Sequence, residues 1–405
     1  MAHFINKHNY MEKSSSDNNN NNNNDNKKYK NTASTSQYKQ KVYAYLRQCG
    51  ELRHYEMKTD RRGHVNKDFM IGKGTYGQVY FVKDKRHNTD SKYKYCALKK
   101  IILHNKASDG FPRSSIREIS LLRKMDHPAI VKLLDVVIGN KRDDVYLAFE
   151  YCATDLGRIL KQHGNGFFKV PHIKRIMLSL CQGLEYLHQN YIMHRDLKVA
   201  NILYTDNGAI KIADFGMARI FSQPHEKYTP KVVTMWYRCP EILLGTKEYD
   251  EKCDMWSLGC MFGELIKGEN ILRGEKELDQ MIKILNFIGK PSKDDLNEIR
   301  NYPNTKMLEN QLKKQSFGGV SNTNNRNGNV DSAKVLNGID SFCEQFHLSV
   351  ETINLLKAML SFSSNKRITA KSCLKHAYFL SEGPKPSNMM PKNHNNLQQK
   401  FDCIK

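Results

Sequence analysis

His194-Arg195-Asp196-Leu197-Lys198-Val199-Ala200-Asn201, with Asp214-Phe215-Gly216 a short way downstream, decides how the rest of the chain is read. The two segments supply carboxylates, an amide and an amine, the side chains needed to hold magnesium-bound phosphates beside a hydroxyl nucleophile. Moving a phosphoryl group asks for little covalent help from a protein; it asks for positioning and for relief of the charge on the group in flight. Asp196 is suited to accept the hydroxyl proton, Lys198 to neutralise the γ-phosphate, and Asn201 with Asp214 to ligate Mg²⁺. Taken singly, each reads as an ordinary loop residue, and Asp-Phe-Gly arises often by chance. Together, in this order and this close, they are specific.

Upstream, Ile71-Gly72-Lys73-Gly74-Thr75-Tyr76-Gly77-Gln78-Val79-Tyr80 carries a G-x-G-x-x-G pattern that also opens dinucleotide-binding units. The flank separates the two readings. Gln78-Val79-Tyr80-Phe81-Val82 is β-branched and aromatic, which predicts a strand where a dinucleotide turn leads into a helix. A glycine flap between strands lets backbone approach phosphates that a Cβ would keep away. A plain glycine hairpin stays in play only if no lysine partner follows, and one does. Tyr95-Cys96-Ala97-Leu98-Lys99 reads as a strand ending in a lysine able to reach the α/β-phosphates, with Lys100 on the other face. Ile116, Ile119 and Leu122 then recur at helical spacing and place Glu118 on a helix. Ser115-x-x-Glu118 matches a capping box, but the order of Lys99 and Glu118 favours an ion pair that couples helix position to phosphate binding.

Composition sets the frame. A chain of 405 residues suits two lobes plus tails, and its 39% hydrophobic content is diluted by Asn- and Lys-rich segments. A formal net charge of +22 favours acidic or phosphate-bearing partners and a nuclear setting, but no nucleic-acid motif accompanies it, so direct sequence-specific nucleic-acid binding is not expected. The ten cysteines include no Cys-x-x-Cys pair; Cys181 and Cys260 read as small buried hydrophobes of a reducing compartment. No apolar run is long enough for a bilayer, so no membrane partner is expected. Residues 1–37, with the Asn18–Asn24 tract and Lys27, Lys28 and Lys30, are too polar to order themselves. Residues 38–64 form an N-terminal extension, with a short helix expected around Val42, Tyr45 and Leu46. An Asn-rich insertion at about 315–332 reads as a surface loop, and residues 381–405 as a C-terminal tail.

The glycine loop, Ala97-x-Lys99, helix Glu118, His-Arg-Asp, Asp-Phe-Gly and Cys239-Pro240-Glu241 run in the order of eukaryotic protein kinases, over roughly residues 65–380. The Phe111-Pro112-Arg113-Ser114-Ser115-Ile116-Arg117-Glu118 helix resembles the cyclin-contacting helix of cyclin-dependent kinases. Gly110-Phe111-Pro112, the run from Tyr228 to Arg238 and Gly383-Pro384-Lys385-Pro386 look most like the transcription-elongation branch. The resemblance implies an α+β, bilobal protein kinase fold: a β-rich N-lobe (65–149) with one key helix and a helical C-lobe (150–380), with ATP and Mg²⁺ as cofactors. It implies that Ile71, Gly72, Lys73, Gly74, Thr75, Tyr76, Gly77, Gln78, Val79, Ala97 and Leu203 surround the nucleotide. Phe149 would guard the back of the adenine pocket, backbone groups of Glu150 and Cys152 would hold the adenine edge, and Asp155 would sit near the ribose.

The activation segment, 214–241, reads as a switch. Thr229 is the candidate phosphosite for an activating kinase, and Arg117, Arg195 and Arg219 match the family's arginine cluster, which a phosphate would convert from repulsion to pairing. By resemblance Thr234 bonds near Asp196, Val232-Val233 and Arg238 favour Ser/Thr-Pro protein substrates, and Thr75 and Tyr76 match inhibitory phosphosites. Asp254 would brace the catalytic-loop backbone, a role that competes with that of an acid at a helix N-terminus. Arg367 is placed to pair with Glu241, though Ser363-Ser364 stands where the family has Asp-Pro. The function implied is a cyclin-dependent kinase of transcription, acting on Ser/Thr-Pro sites such as the repeat tail of RNA polymerase II, with a cyclin on the Phe111–Leu122 helix. A nuclear location follows, with the cytoplasm as a further compartment. A cell-cycle kinase is the alternative; a pseudokinase scaffold usually lacks the equivalents of Lys99, Asp196 or Asp214.

Overall fold

The structure, a computed structural model, describes residues 49–59, 65–74, 77–86, 93–101, 113–139, 144–221, 234–317, 338–380 and 402. The Asn-rich tail, the expected helix around Val42, Thr75, Tyr76, Phe111, Thr229, Val232-Val233 and residues 318–337 lie outside them. The chain forms two units that divide between Ala153 and Thr154, with Asp402 belonging to the first.

The first unit is a sheet of β1 (Gly50–Glu51), β2 (Tyr55–Glu56), β3 (Met70–Gly74), β4 (Gly77–Asp84), β5 (Tyr95–Ile101), β6 (Leu133–Ile138) and β7 (Val145–Glu150), with one helix, α1 (Arg113–Leu122). The order is β1-β6-β7-β5-β4-β2, and β3 pairs with β4. Strand β7 is apolar from Val145 to Phe149 because both of its faces are covered. Val145 and Leu147 join Ile101, Val136 and the α1 residues Ile116 and Ile119 in one cluster. Tyr146 and Ala148 point the other way and join Tyr55, Val82, Cys96, Leu98 and Val137 in a second. The period-2 alternation of a strand thus feeds two cores from consecutive residues. Lys99 and Lys100 split in the same way: Lys99 reaches Glu118, whereas Lys100 pairs with Asp144 at 2.8 Å.

Strands β1 and β2 were not anticipated in the extension, and their placement constrains the sheet. In a flat sheet the five spacings from β1 to β2 span about 24 Å. The four steps from Glu51 to Tyr55 reach at most about 14 Å. The sheet must therefore curl until its outer edges approach each other. A polar node bridges the gap. Arg86 holds Asp84 through Nε and Nη2 and donates from Nη1 to Asp135 Oδ2 on β6 at 3.0 Å, and the buried Tyr55 hydroxyl donates to the same oxygen at 3.3 Å.

The second unit is mostly helical. Its main helices are α2 (Leu156–His163), α3 (Val170–Gln189), α4 (Lys252–Lys267), α5 (Val350–Met359) and α6 (Ala370–Leu374). Pro171 opens α3, whose Ile173, Ile176, Leu180, Leu184 and Leu187 are all buried, as their spacing predicts. Helix α4 is buried from Cys253 to Leu265, the signature of a central helix rather than an amphipathic one. Arg367 forms a fork on Glu241 (2.8 and 3.0 Å), stacks 5.2 Å from the Trp256 ring and donates to Lys252 O. Where the family has Asp-Pro, the buried Ser363 hydroxyl donates to Glu298 Oε2 at 2.5 Å and Ser364 O accepts the Arg367 N–H. No helix among the described residues is long and apolar enough to cross a membrane.

Candidate active site

Helix α3 ends at Gln189, and the chain turns through Asn190 and Tyr191 into the strand Ile192–Met193, which pairs antiparallel with Arg219–Ile220. The loop that follows contains a strained residue. Arg195 has φ of 67°, a left-handed conformation that costs a non-glycine residue about 1–2 kcal/mol. Asp254, on the first turn of α4, holds it there: Oδ1 accepts Arg195 N–H at 2.8 Å and Oδ2 accepts His194 N–H at 2.9 Å. His188 Nε2 lies 3.1 Å from the same Oδ2. Burial alone raises the Asp254 carboxyl, but the His188 bond, the two histidines and the Arg195 amide outweigh it and hold it below the usual carboxylate range. The acid braces the loop; it is not a helix-end charge alone. The ring of His194 joins in, with Nε2 donating to Ala213 O (3.0 Å) and Nδ1 accepting Asp196 N–H (3.3 Å), which fixes the tautomer with the proton on Nε2.

This bracing presents Asp196 to a set of donors. Thr234 gives its N–H and its hydroxyl to Oδ1 (3.2 and 3.1 Å). Lys198 Nζ and Asn201 Nδ2 reach Oδ2 at 2.7 and 3.1 Å, and Lys198 also donates to Thr234 Oγ1 at 3.1 Å. Asn201 Nδ2 further donates to Asp196 O at 2.7 Å, so the amide nitrogen is committed and Oδ1 is the amide's remaining acceptor. Ala213 N–H donates to Asn201 O at 2.9 Å, bringing the residue before Asp214 alongside Asn201. Asp214 itself adopts a left-handed turn (φ 66°, ψ 72°) ahead of the single turn Phe215–Met217. An amide oxygen and a carboxylate are hard oxygen donors of the kind Mg²⁺ takes while it keeps several waters. The donor set fits the ion.

In the first unit, Lys99 Nζ meets Glu118 Oε1 at 3.0 Å, both side chains largely buried. Helix α1 begins at Arg113, so Ser115 lies inside it and the capping-box reading of Ser115-x-x-Glu118 gives way to the ion pair. Register sets Val79 opposite Lys99, Ala97 opposite Phe149, and Lys73 opposite Gln78. Gly77 has a local reason to lack a side chain: a Cβ there falls 2.0 Å from Lys100 O, inside the β4–β5 ladder. Glu150 is buried and accepts Lys132 N–H at 2.9 Å; Ile71 and Cys152 are half-buried.

Three expected residues have further partners. Asp155, opposite Leu203 in a short ladder, caps α2 by accepting Arg158 N–H at 2.9 Å. Burial raises its carboxyl, while Arg158 and nearby amides oppose that. Arg195 is buried, donating from Nε to Met217 O (2.9 Å) and from Nη1 to Tyr249 hydroxyl (2.8 Å). Arg219 Nη1 donates to Ala218 O at 3.2 Å, so two guanidiniums follow one short stretch of backbone. Arg117 lies on α1 of the other unit. His188 and Tyr249 escaped sequence reasoning. His188 sits on α3, whose pattern already explained it, Tyr249 sits in the irregular stretch before α4, and only the fold brings them to Asp254 and Arg195.

The family model described as the protein kinase domain matches residues 65–379. A probable cyclin-dependent kinase 10 of Dictyostelium discoideum is 40% identical over 324 residues, covering 80% of this chain and 81% of that protein. Cyclin-dependent kinase 10 of Mus musculus is 38% identical over 317 residues, covering 78% and 79%. Among solved structures, the crystal structure of the yeast RNA Pol II CTD kinase CTDK-1 complex matches with a TM-score of 0.63 and 32% identity, over 76% of this chain and 91% of that one. With the braced Asp196 loop and the Lys99–Glu118 pair, these matches place the chain in the protein kinase family. Within that family it is a serine/threonine kinase of the cyclin-dependent type, which uses ATP with Mg²⁺.

Proposed function

We propose that this kinase phosphorylates Ser/Thr-Pro sites in the nucleus, in the service of transcription, with the RNA polymerase II repeat tail as its substrate class. The likeness to the yeast CTD kinase complex carries this reading. A net charge of +22 suits a tail that already bears phosphate. A cyclin packs on the Phe111–Leu122 helix, and an activating kinase modifies Thr229, whose phosphate Arg117, Arg195 and Arg219 receive.

In the catalytic step, Asp196 accepts the proton of the acceptor hydroxyl as its oxygen attacks the γ-phosphorus, the bond from that phosphorus to the β,γ-bridging oxygen breaks, and ADP leaves with the bonding electrons. Thr234 and Asn201 keep the carboxylate in plane for that task, and Lys198 neutralises the phosphoryl oxygens. Asn201 and Asp214 would hold Mg²⁺, which would supply charge neutralisation to the phosphates. Lys99, steadied by Glu118, binds the α/β-phosphates, under the glycine loop from Ile71 to Val79. Ala97, Phe149, Leu203 and the backbone of Glu150 and Cys152 hold the adenine, and Asp155 lies near the ribose.

The test is to purify the native complex, identify the cyclin by mass spectrometry, and assay it on Ser-Pro repeat peptides with and without prior phosphorylation. Asp196→Asn is expected to abolish transfer while a fluorescent ATP analogue still binds within about threefold of the parent affinity. Normal turnover by that variant refutes the catalytic assignment. A cell-cycle cyclin in the complex, with no preference for the repeat peptide, refutes the transcription reading and leaves the kinase one intact.

A further inference from the structure

The family match begins at residue 65, yet residues 49–56 are built into the first unit. They touch three things. Gly50 and Glu51 pair parallel with Val137 and Ile138 of β6. Tyr55 and Glu56 pair antiparallel with Asp84 and Lys83 of β4, and Lys85 N–H donates to His54 O. Cys49 packs on the cluster that contains Ile116 and Ile119 of α1, and Arg123, just past the end of α1, donates to Cys49 Sγ at 3.9 Å. One short segment therefore joins both edges of the curled sheet to the seat of the helix that carries Glu118.

We propose that residues 49–56 are a strap that positions α1, so that the Lys99–Glu118 pair, and through it phosphate binding, depends on chain outside the kinase domain proper. The fit is close at Gly50, where a Cβ falls 2.2 Å from Asp135 Oδ2. That carboxylate has little room to yield: Oδ2 takes Arg86 and Tyr55, and Oδ1 accepts Val136 N–H at 2.8 Å. A side chain at position 50 displaces the strap without touching Lys99, Glu118 or any residue of the Asp196 loop. Coupling is reciprocal. If the strap steadies the pair, nucleotide binding must steady the strap.

This inference rests on the proposed role of the Lys99–Glu118 pair, and the experiment separates the two. Full-length protein is measured by hydrogen exchange of the 49–59 peptides with and without AMP-PNP·Mg, and by titration with a fluorescent ATP analogue. The parent is expected to show exchange across the strap slowed at least threefold by nucleotide. Gly50→Val is expected to exchange at least tenfold faster there and to bind the analogue three- to tenfold more weakly. Tyr55→Phe, which removes the hydroxyl's bonds to Asp135 and Arg86 and keeps the ring in the core, is expected to move both readouts in the same direction by a smaller factor, and it serves if Gly50→Val fails to fold. Lys99→Met is expected to weaken the analogue and to abolish the nucleotide-induced protection. Fast strap exchange with parent-like affinity in both strap variants overturns the strap. Unchanged affinity in Lys99→Met overturns the role of the pair itself.

Discussion

Replacing Asp254 by Asn keeps its volume and shape and removes one acceptor. The carboxylate uses separate oxygens for Arg195 N–H and His194 N–H (2.8 and 2.9 Å). An amide offers one oxygen, so one of the two buried N–H groups must face an NH₂. Losing a hydrogen bond to a charged acceptor costs about 1.5–3 kcal/mol. The left-handed Arg195 adds about 1–2 kcal/mol of strain that is relieved once the turn lets go. Together they bias the loop by roughly 3 kcal/mol toward a relaxed turn, which is about two decades in population. In that form Asp196, the next residue, no longer meets Thr234 and Asn201. Asp254→Asn is therefore expected to lower kcat by up to about 100-fold, with the ATP KM within about threefold because Lys99 and Glu118 are untouched. A steady-state peptide assay at saturating ATP reads this, and hydrogen exchange over residues 193–197 should speed up with it. A variant with kcat within threefold of the parent and unchanged exchange would refute the bracing argument.

Three further outcomes follow from the second unit. Burial raises the Glu241 carboxyl but the Arg367 fork outweighs it, so its folded pKa lies below the ordinary value. The stability this contributes is complete above the unfolded pKa of about 4.3 and is lost as pH falls through the lower folded value. Thermal midpoints should hold from pH 7 to about 5 and then fall more steeply in the parent than in Glu241→Gln. That variant should also lose about 3 kcal/mol at pH 7, since Arg367 stays buried without its counter-charge; a parent-like urea midpoint would count against it. Ser363→Ala removes the hydroxyl bond to Glu298 and should cost about 1–2 kcal/mol in the same titration, whereas no loss would mean that the substitution at this family position is structurally idle.

The convergence of Asp196, Lys198 and Asn201 was legible because it is local: they lie within six residues of one another, and spacing alone implied that they could meet. The α3 face was legible for the same reason, since one helix period sorts Ile173 through Leu187 onto a single side. What stayed hidden depends on pairs distant in the chain. Asp254 read equally as a helix-end acid until the fold brought His194 N–H to it. The two-residue strands β1 and β2 are too short to show alternation, and their partners, β6 and β4, set their conformation rather than any preference of Gly-Glu or Tyr-Glu. Tyr249 gave no signal because a half-apolar tyrosine near a helix is ordinary until a buried arginine is found beside it.

Closure of the curled sheet also sets an order of events during synthesis. Gly50 meets Val137, about 87 residues later, so at 5–20 residues per second its partner leaves the ribosome roughly 4–17 s after it does. Through that interval the first-made strand waits as an unmatched backbone edge, the template on which chains pair with one another. A shortened chain that starts after Glu56 faces the same exposure permanently, on β6 and on β4, and should cluster in solution even where its catalytic residues are intact.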